Sequence, residues 1–191
     1  MSTDIRNNSK TIPAELSELV NYLDSLQERA DVAQLDRLLS ENVATLDTLQ
    51  SFVEFGDLTY RRNLIKQNTW YELLCICWKS GQRSPIHDHA QSTCGLKIVT
   101  GVATETVFAS TDCGQIKAVS STDFAVGQVC SSQDSDVHQV SNLQSPGNDL
   151  VTLHIYSPPI QSMDTYTLTG AEPAIYVPKN ANVICEIGDC I

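Results

Sequence analysis

Along the first third of the chain, apolar positions recur at spacings of three and four. In "IPAELSELVNYLDSLQ", Leu16, Leu19, Val20, Leu23 and Leu26 share one helical face, and Pro13 stands where a helix can begin. "DVAQLDRLLSEN" and "ATLDTLQSFVEF" repeat the pattern in shorter form. Three such segments are too short for a core of their own, so they are expected to pack against the remainder of the chain. From Tyr60 onward the period changes to two. "WYELLCICWK", "CGLKIVTG", "VATETVFAS", "IKAVSS", "DFAVGQVC", "LVTLHIYSP", "AIYVPK" and "NVICEI" read as strands, separated in many places by Gly81, Gly101, Gly114, Pro146-Gly147 and Gly170. Roughly eight short strands at this spacing predict a mainly β sandwich or small barrel. The organisation expected is one domain over residues 1–191, with a helical N-terminal segment (1–58) packed on a β-barrel (59–191).

Composition narrows the function classes. A chain of 191 residues with 41% hydrophobic content can bury a sizeable core without disulfide support. The formal charge is −11 with no basic cluster to offset it, which argues against nucleic acid or an anionic membrane as partner. No apolar run approaches the ~18 residues that span a bilayer, and "MSTDIRNNSK" lacks the apolar segment of an export signal. Seven cysteines with no CxxC pair fit reduced thiols in the cytoplasm rather than a zinc ribbon or a redox dithiol. Cys75 and Cys77 read as small buried hydrophobes of a strand, and Cys185 and Cys190 of the tail as incidental thiols.

The candidate chemistry sits in "SPIHDHAQSTCG". The chain has four histidines, His87, His89, His138 and His154. On an extended strand His87 and His89 point to the same side and can reach one metal ion, while Asp88 points away. His138 in "DVHQVSN" supplies a third imidazole after an intervening set of strands. Three imidazoles on one side of an ion leave its other positions free for substrate and gas. The plain alternative is two packed or surface histidines.

The spacing around these residues resembles a known pattern. Gly81, five residues, His87, one residue, His89, four residues, Cys94, six residues and Gly101 resemble the first cupin motif, with Cys94 where a glutamate usually stands. Gly127 and His138-x3-Asn142 resemble the second, without its Pro-x-Gly: Gln133 and Ser135 occupy those slots. Either the Cys94 thiolate binds the metal, or three neutral imidazoles leave the ion its full charge and attract an anionic substrate such as a thiolate.

More specifically, "YRRNLI", "LCICWKSGQRSPIHDHAQSTCGLKIVTG", "VHQVSN" and "LHIYSPP" are similar, from about Tyr60 to Pro159, to the cysteine dioxygenase family of cupin-fold thiol dioxygenases. The resemblance implies a cupin jelly-roll with N-terminal helices. It implies Fe(II) held by His87, His89 and His138, and a thioether joining Cys94 to Tyr156. It places Arg62 on the substrate carboxylate with Tyr60 beside it, and His154 and Thr152 in a relay toward Tyr156, with Thr152 where the family commonly has serine. Ser157-Pro158 matches a cis bond. The partners implied are L-cysteine and O2, with no nucleic acid or membrane, in a cytoplasmic monomer.

The activity this implies is oxidation of L-cysteine to cysteine sulfinic acid. Iron itself comes from the resemblance, because three histidines bind Zn(II), Cu(II) or Ni(II) at least as tightly. The rivals are a 3-mercaptopropionate dioxygenase, which typically has glutamine in place of Arg62 and lacks the cross-linking cysteine, and a non-catalytic metal- or thiol-binding cupin sensor. A zinc hydrolase or isomerase would want a carboxylate base near the ion, and the sequence offers none beyond Asp88.

Overall fold

The computed structural model describes residues 10–112, 114–133, 137–170 and 172–180. Two helices, α1 (Ser17–Asp24) and α2 (Val32–Glu41), precede eleven strands. These are β1 (Arg61–Gln67), β2 (Glu72–Trp78), β3 (Ile86–His87), β4 (Thr93–Thr100), β5 (Ala103–Ser110), β6 (Ile116–Phe124), β7 (Val129–Gln133), β8 (Val137–Ser141), β9 (Leu150–Ser157), β10 (Met163–Tyr166) and β11 (Ala174–Tyr176). They form two antiparallel sheets, in the order β1-β2-β9-β4-β7 and β11-β10-β3-β8-β5-β6. This is the jelly-roll the sequence predicts, as two facing sheets rather than one continuously hydrogen-bonded barrel.

The five-stranded sheet is buried on both faces, and the two-residue period of a strand sorts its side chains. Odd positions of β2 and β9 (Leu73, Cys75, Cys77, Val151, Leu153, Ile155) share a cluster with Leu16, Leu19, Leu23, Leu35 and Leu39 of the helical segment. Even positions (Leu74, Ile76, Trp78, Leu150, Tyr156) join Cys94, Leu96 and Ile98 of β4 on the inner face. Each fully buried leucine contributes on the order of 2 kcal/mol by leaving water. A one-residue slip of β9 would turn its inner residues toward the helices, so the register is strongly specified.

Helix α2 is tied down at both ends. Asp31 caps it, its carboxylate accepting from the Gln34 amide at 2.8 Å, a contact worth about 1 kcal/mol. At the other end the buried Lys97 amine of β4 donates to the carbonyls of Leu39 (2.8 Å), Ser40 (3.4 Å) and Asn42, covering groups the helix leaves unpaired. Between them stands Gly95, where a Cβ would lie 2.6 Å from Leu39 Cδ1 and 2.9 Å from Leu35 Cδ2. The missing side chain is what lets the helix lie directly on β4.

Several expectations are corrected. "ATLDTLQSFVEF" yields only a turn and a 3-10 segment at Gln50–Phe52. Thr48 Oγ1 accepts from the Thr45 amide at 2.8 Å and donates to the Thr45 carbonyl at 2.9 Å, replacing helical bonds with local ones. "DFAVGQVC" is not one strand: Asp123-Phe124 end β6, and the chain turns through Gly127 (φ 86°) before β7 begins at Val129. Alternation along the chain does not mark β1, β8 or β10; "YRRNLI" and "DVHQVSN" stand out as motifs instead. "NVICEI" lies outside the described residues. The Ser157-Pro158 peptide is cis.

Candidate metal centre

The two sheets converge on three imidazoles. His87 on β3 is paired directly with His138 on β8, and their ring centroids lie 4.7 Å apart. His89 follows β3 rather than belonging to it, because the chain turns at Ala90 (φ 47°) and Gln91 (φ 70°). Its ring nevertheless lies 5.4 Å from His87 and 4.6 Å from His138. One nitrogen from each of the three falls within 4.8 Å of the others, and all three side chains are buried.

The second ring nitrogens fix which atom faces the centre. His87 Nδ1 lies 3.0 Å from the Pro85 carbonyl, His138 Nδ1 lies 2.6 Å from Glu105 Oε1, and His89 Nδ1 lies 3.5 Å from Ser132 Oγ. Such outer contacts set ring orientation and tautomer in metal sites. His89 Nε2 is buried without a hydrogen-bond partner, an orphan that a bound cation would satisfy. Burial, and then the neighbouring His138, holds His87 down to about 3 and His89 well below the usual imidazole range, so both are neutral ligands at physiological pH. Three imidazoles suit Zn, Cu, Fe or Ni; the donor set fits a transition metal without choosing among them.

Glu105 was missed in the sequence. It alternates inward on β5, and although burial raises its carboxyl, the bonds to His138 and the Cys130 thiol leave it lowered and ionised. Asp88, the carboxylate the sequence did offer, faces away: its Oδ1 accepts from the amides of Asp164 (3.2 Å) and Ala90 (3.3 Å).

Beside the triad, β4 and β9 set Cys94 directly opposite Tyr156, 5% and 4% exposed. Tyr156 Oη lies 3.1 Å from His154 Nδ1, and His154 Nε2 lies 2.9 Å from Thr152 Oγ1. Trp78 Nε1 donates to that same oxygen at 2.9 Å, and its ring stacks on Tyr60 at 4.4 Å. Trp78 therefore closes a line of four polar groups. If His154 Nδ1–H donates to Tyr156, the phenol hydrogen is free to point into the cavity; the other tautomer spends it on His154. Burial and then Cys94 push the Tyr156 phenol far up, and burial lifts Tyr60 to about 12, so both stay protonated.

Arg62 comes from the edge strand β1, its guanidinium carbon 5.3 Å from the Tyr156 ring centroid. It is 6% exposed and paired with Glu72, whose Oε1 accepts from Nη2 at 2.9 Å. Glu72 was also missed, although a lone carboxylate on the inner row of an apolar strand is a signal in itself. Tyr60, Arg62, His87, Cys94, His138, His154 and Tyr156 line one cavity.

Comparison with known proteins identifies the family. The family model described as cysteine dioxygenase type I matches residues 2–168. The chain is 30% identical over 161 residues to "Cysteine dioxygenase type 1" of Danio rerio, covering 81% of this chain and 80% of that protein. It is 29% identical over 160 residues to the Homo sapiens protein of the same name, with the same shares covered. Among solved structures, an uncharacterized conserved protein with a double-stranded beta-helix domain from Klebsiella pneumoniae subsp. pneumoniae MGH 78578 superposes with a TM-score of 0.51 at 12% identity, over 74% of this chain and 98% of that one, a likeness of fold alone. The chain belongs to the cysteine dioxygenase type I family and is an oxygenase of that family.

Proposed function

We propose that this oxygenase converts L-cysteine to cysteine sulfinic acid, both oxygen atoms coming from O2, at Fe(II) held by His87, His89 and His138. The observation that carries the reading is a cluster of three histidines with an orphaned His89 Nε2, two of them lining the same cavity as a buried arginine beside a buried tyrosine. One part suits a cation that accepts a thiolate; the other suits a small anionic group. Bound iron would supply the charge that draws in the thiolate and the redox chemistry that O2 needs.

The chain's own residues do the rest. Arg62 takes the substrate carboxylate through a planar contact a lysine could not copy, and Tyr60, held flat against Trp78, donates a hydrogen bond to the same group. Tyr156, protonated and aimed by His154, donates to oxygen developing on sulfur. The buried walls exclude water and hold the reactants together, and proximity of this kind lowers barriers by up to ~7–11 kcal/mol. Cys94 limits where the Tyr156 ring can sit, through a thioether from Sγ to a ring carbon. That bond forms with loss of two hydrogens, whose two electrons pass to O2.

The protein acts as a monomer in the cytoplasm, where small thiols stay reduced. No helix among the described residues is long and apolar enough to cross a membrane. The deciding experiment is anaerobic iron loading followed by oxygen uptake with L-cysteine, cysteamine and 3-mercaptopropionate side by side. Cysteine should be consumed fastest, with labelled O2 entering the sulfinate. No uptake with any thiol at full iron occupancy would leave a sensor, and preference for 3-mercaptopropionate would move the substrate assignment.

A further inference from the structure

Arg62 does not meet the cavity as a bare cation. Its Nη2 donates to Glu72 Oε1 at 2.9 Å and its Nε to Asn180 Oδ1 at 2.9 Å, while Asn180 Nδ2 donates to Glu72 Oε2 at 3.1 Å. The Ile160 amide adds a further donor to Glu72 Oε1 at 3.3 Å. The three side chains close a ring built from β1, β2 and the segment after β11. The two charged members are almost wholly buried, 6% and 4% exposed. Glu72 also stands directly opposite Tyr156 across β2 and β9.

A guanidinium offers a carboxylate two flat edges, the side edge of Nε and Nη2 and the end edge of Nη1 and Nη2. The ring takes the side edge, and Nη1 makes no hydrogen bond among the described residues. A substrate carboxylate is therefore left the end edge. It also meets a guanidinium whose charge is already balanced by Glu72, so it gains orientation rather than strong net attraction.

We propose that Glu72 and Asn180 set how strongly this site discriminates a thiol that carries a carboxylate from one that does not: Glu72 cancels the charge of Arg62 and Asn180 locks both, so that the end edge orients a carboxylate while adding little net attraction. The inference rests on the proposed assignment of Arg62 to the substrate carboxylate, and Glu72 and Asn180 are positioning residues that act through it.

The test compares L-cysteine with cysteamine, which differ only by the carboxylate. Binding of each is measured by calorimetry to the iron-loaded protein without O2, and the readout is the ratio of the two dissociation constants. In Glu72→Gln the amide oxygen keeps an acceptor for Nη2 while the charge is lost, and the ratio should move about tenfold in favour of cysteine. Asn180→Asp adds a second negative charge beside Arg62 and should move it the opposite way, by a similar factor. The double variant Glu72→Gln/Asn180→Asp restores both the net charge and a complete set of hydrogen bonds, and should return the wild-type ratio. Should Glu72→Gln fail to fold, Asn180→Asp carries the test, since its side chain is partly exposed. A ratio unmoved in these variants, or moved against cysteine by Glu72→Gln, overturns the inference while wild-type preference for cysteine leaves the role of Arg62 standing. Equal wild-type binding of both thiols removes that role, and this inference with it.

Discussion

Cys94 and Tyr156 face one another across two neighbouring antiparallel strands, on the side of the sheet that looks into the cavity. Directly opposed residues in such a pair carry Cβ atoms about 4.5–5.5 Å apart, so a thiol and a phenol ring set there are held in proximity by the backbone ladder itself. No loop movement is needed to bring them together.

If the two are joined on maturation, denaturing mass spectrometry after iron and cysteine turnover should find their tryptic peptides as one species, lighter by two hydrogens than their sum. Cys94→Ala should abolish that species while leaving the fold intact. Separate peptides after extensive turnover would remove the cross-link and leave Cys94 as packing.

Truncating Arg62 to Ala removes the carboxylate's partner and strands Glu72 as an uncompensated buried charge. Loss of one partner of a buried pair costs about 3–5 kcal/mol, so denaturant unfolding should shift markedly. KM for L-cysteine should rise on the order of a hundredfold, as for truncation of a buried hydrogen-bonded charge, and KM for cysteamine should change little. Equal effects on both thiols would assign Arg62 to stability alone.

Gly95→Ala tests the helix-on-strand contact behind Cys94. The new methyl would sit 2.6 Å from Leu39 Cδ1 and 2.9 Å from Leu35 Cδ2. Overpacking of this kind costs about 1–3 kcal/mol, read as a lower denaturation midpoint with an unchanged slope. A neutral result would show that α2 can shift without loss.

His154 gives the protein a pH dependence of known sign. Burial, then the positive Arg62 and the neighbouring His138 and His87, hold its imidazole well below the usual 6.5. The unfolded chain therefore binds a proton that the folded one refuses as pH falls below about 6.5, and stability declines with it. His154→Gln should flatten the fall in Tm between neutral and mildly acidic pH, measured on metal-free protein. It should also lower kcat by breaking the line from Thr152 to Tyr156, whereas Thr152→Ser, which keeps the hydroxyl, should be nearly silent. An unchanged slope in His154→Gln would place the acid sensitivity elsewhere.

Legibility in the sequence depends on whether a constraint is local. The period of three and four in "ELSELVNYL" and the period of two in "VTLHIYS" reflect which face each segment must bury, and both segments form as expected. "ATLDTLQSFVEF" carries a helical pattern too, but its threonines satisfy their own backbone first. His87, His89 and His138 are legible because metal-ligand spacing is written along the chain. Glu72 and Glu105 are not: each is one acidic residue in a strand, and its meaning lies wholly in what faces it.

The sequence by itself determined the helical start and β remainder of the chain, the mainly β class, the identity of the candidate ligands and the family resemblance, since periodicity and motif spacing are properties of consecutive residues. Only the tertiary structure decided which nitrogen of each imidazole faces the centre, that Glu105 buttresses His138, and that Glu72 and Asn180 hold Arg62. Those contacts join residues 33, 10 and 118 positions apart, and no local preference encodes them. They exist because folding buries these polar groups, and most buried polar groups must find a partner within the chain.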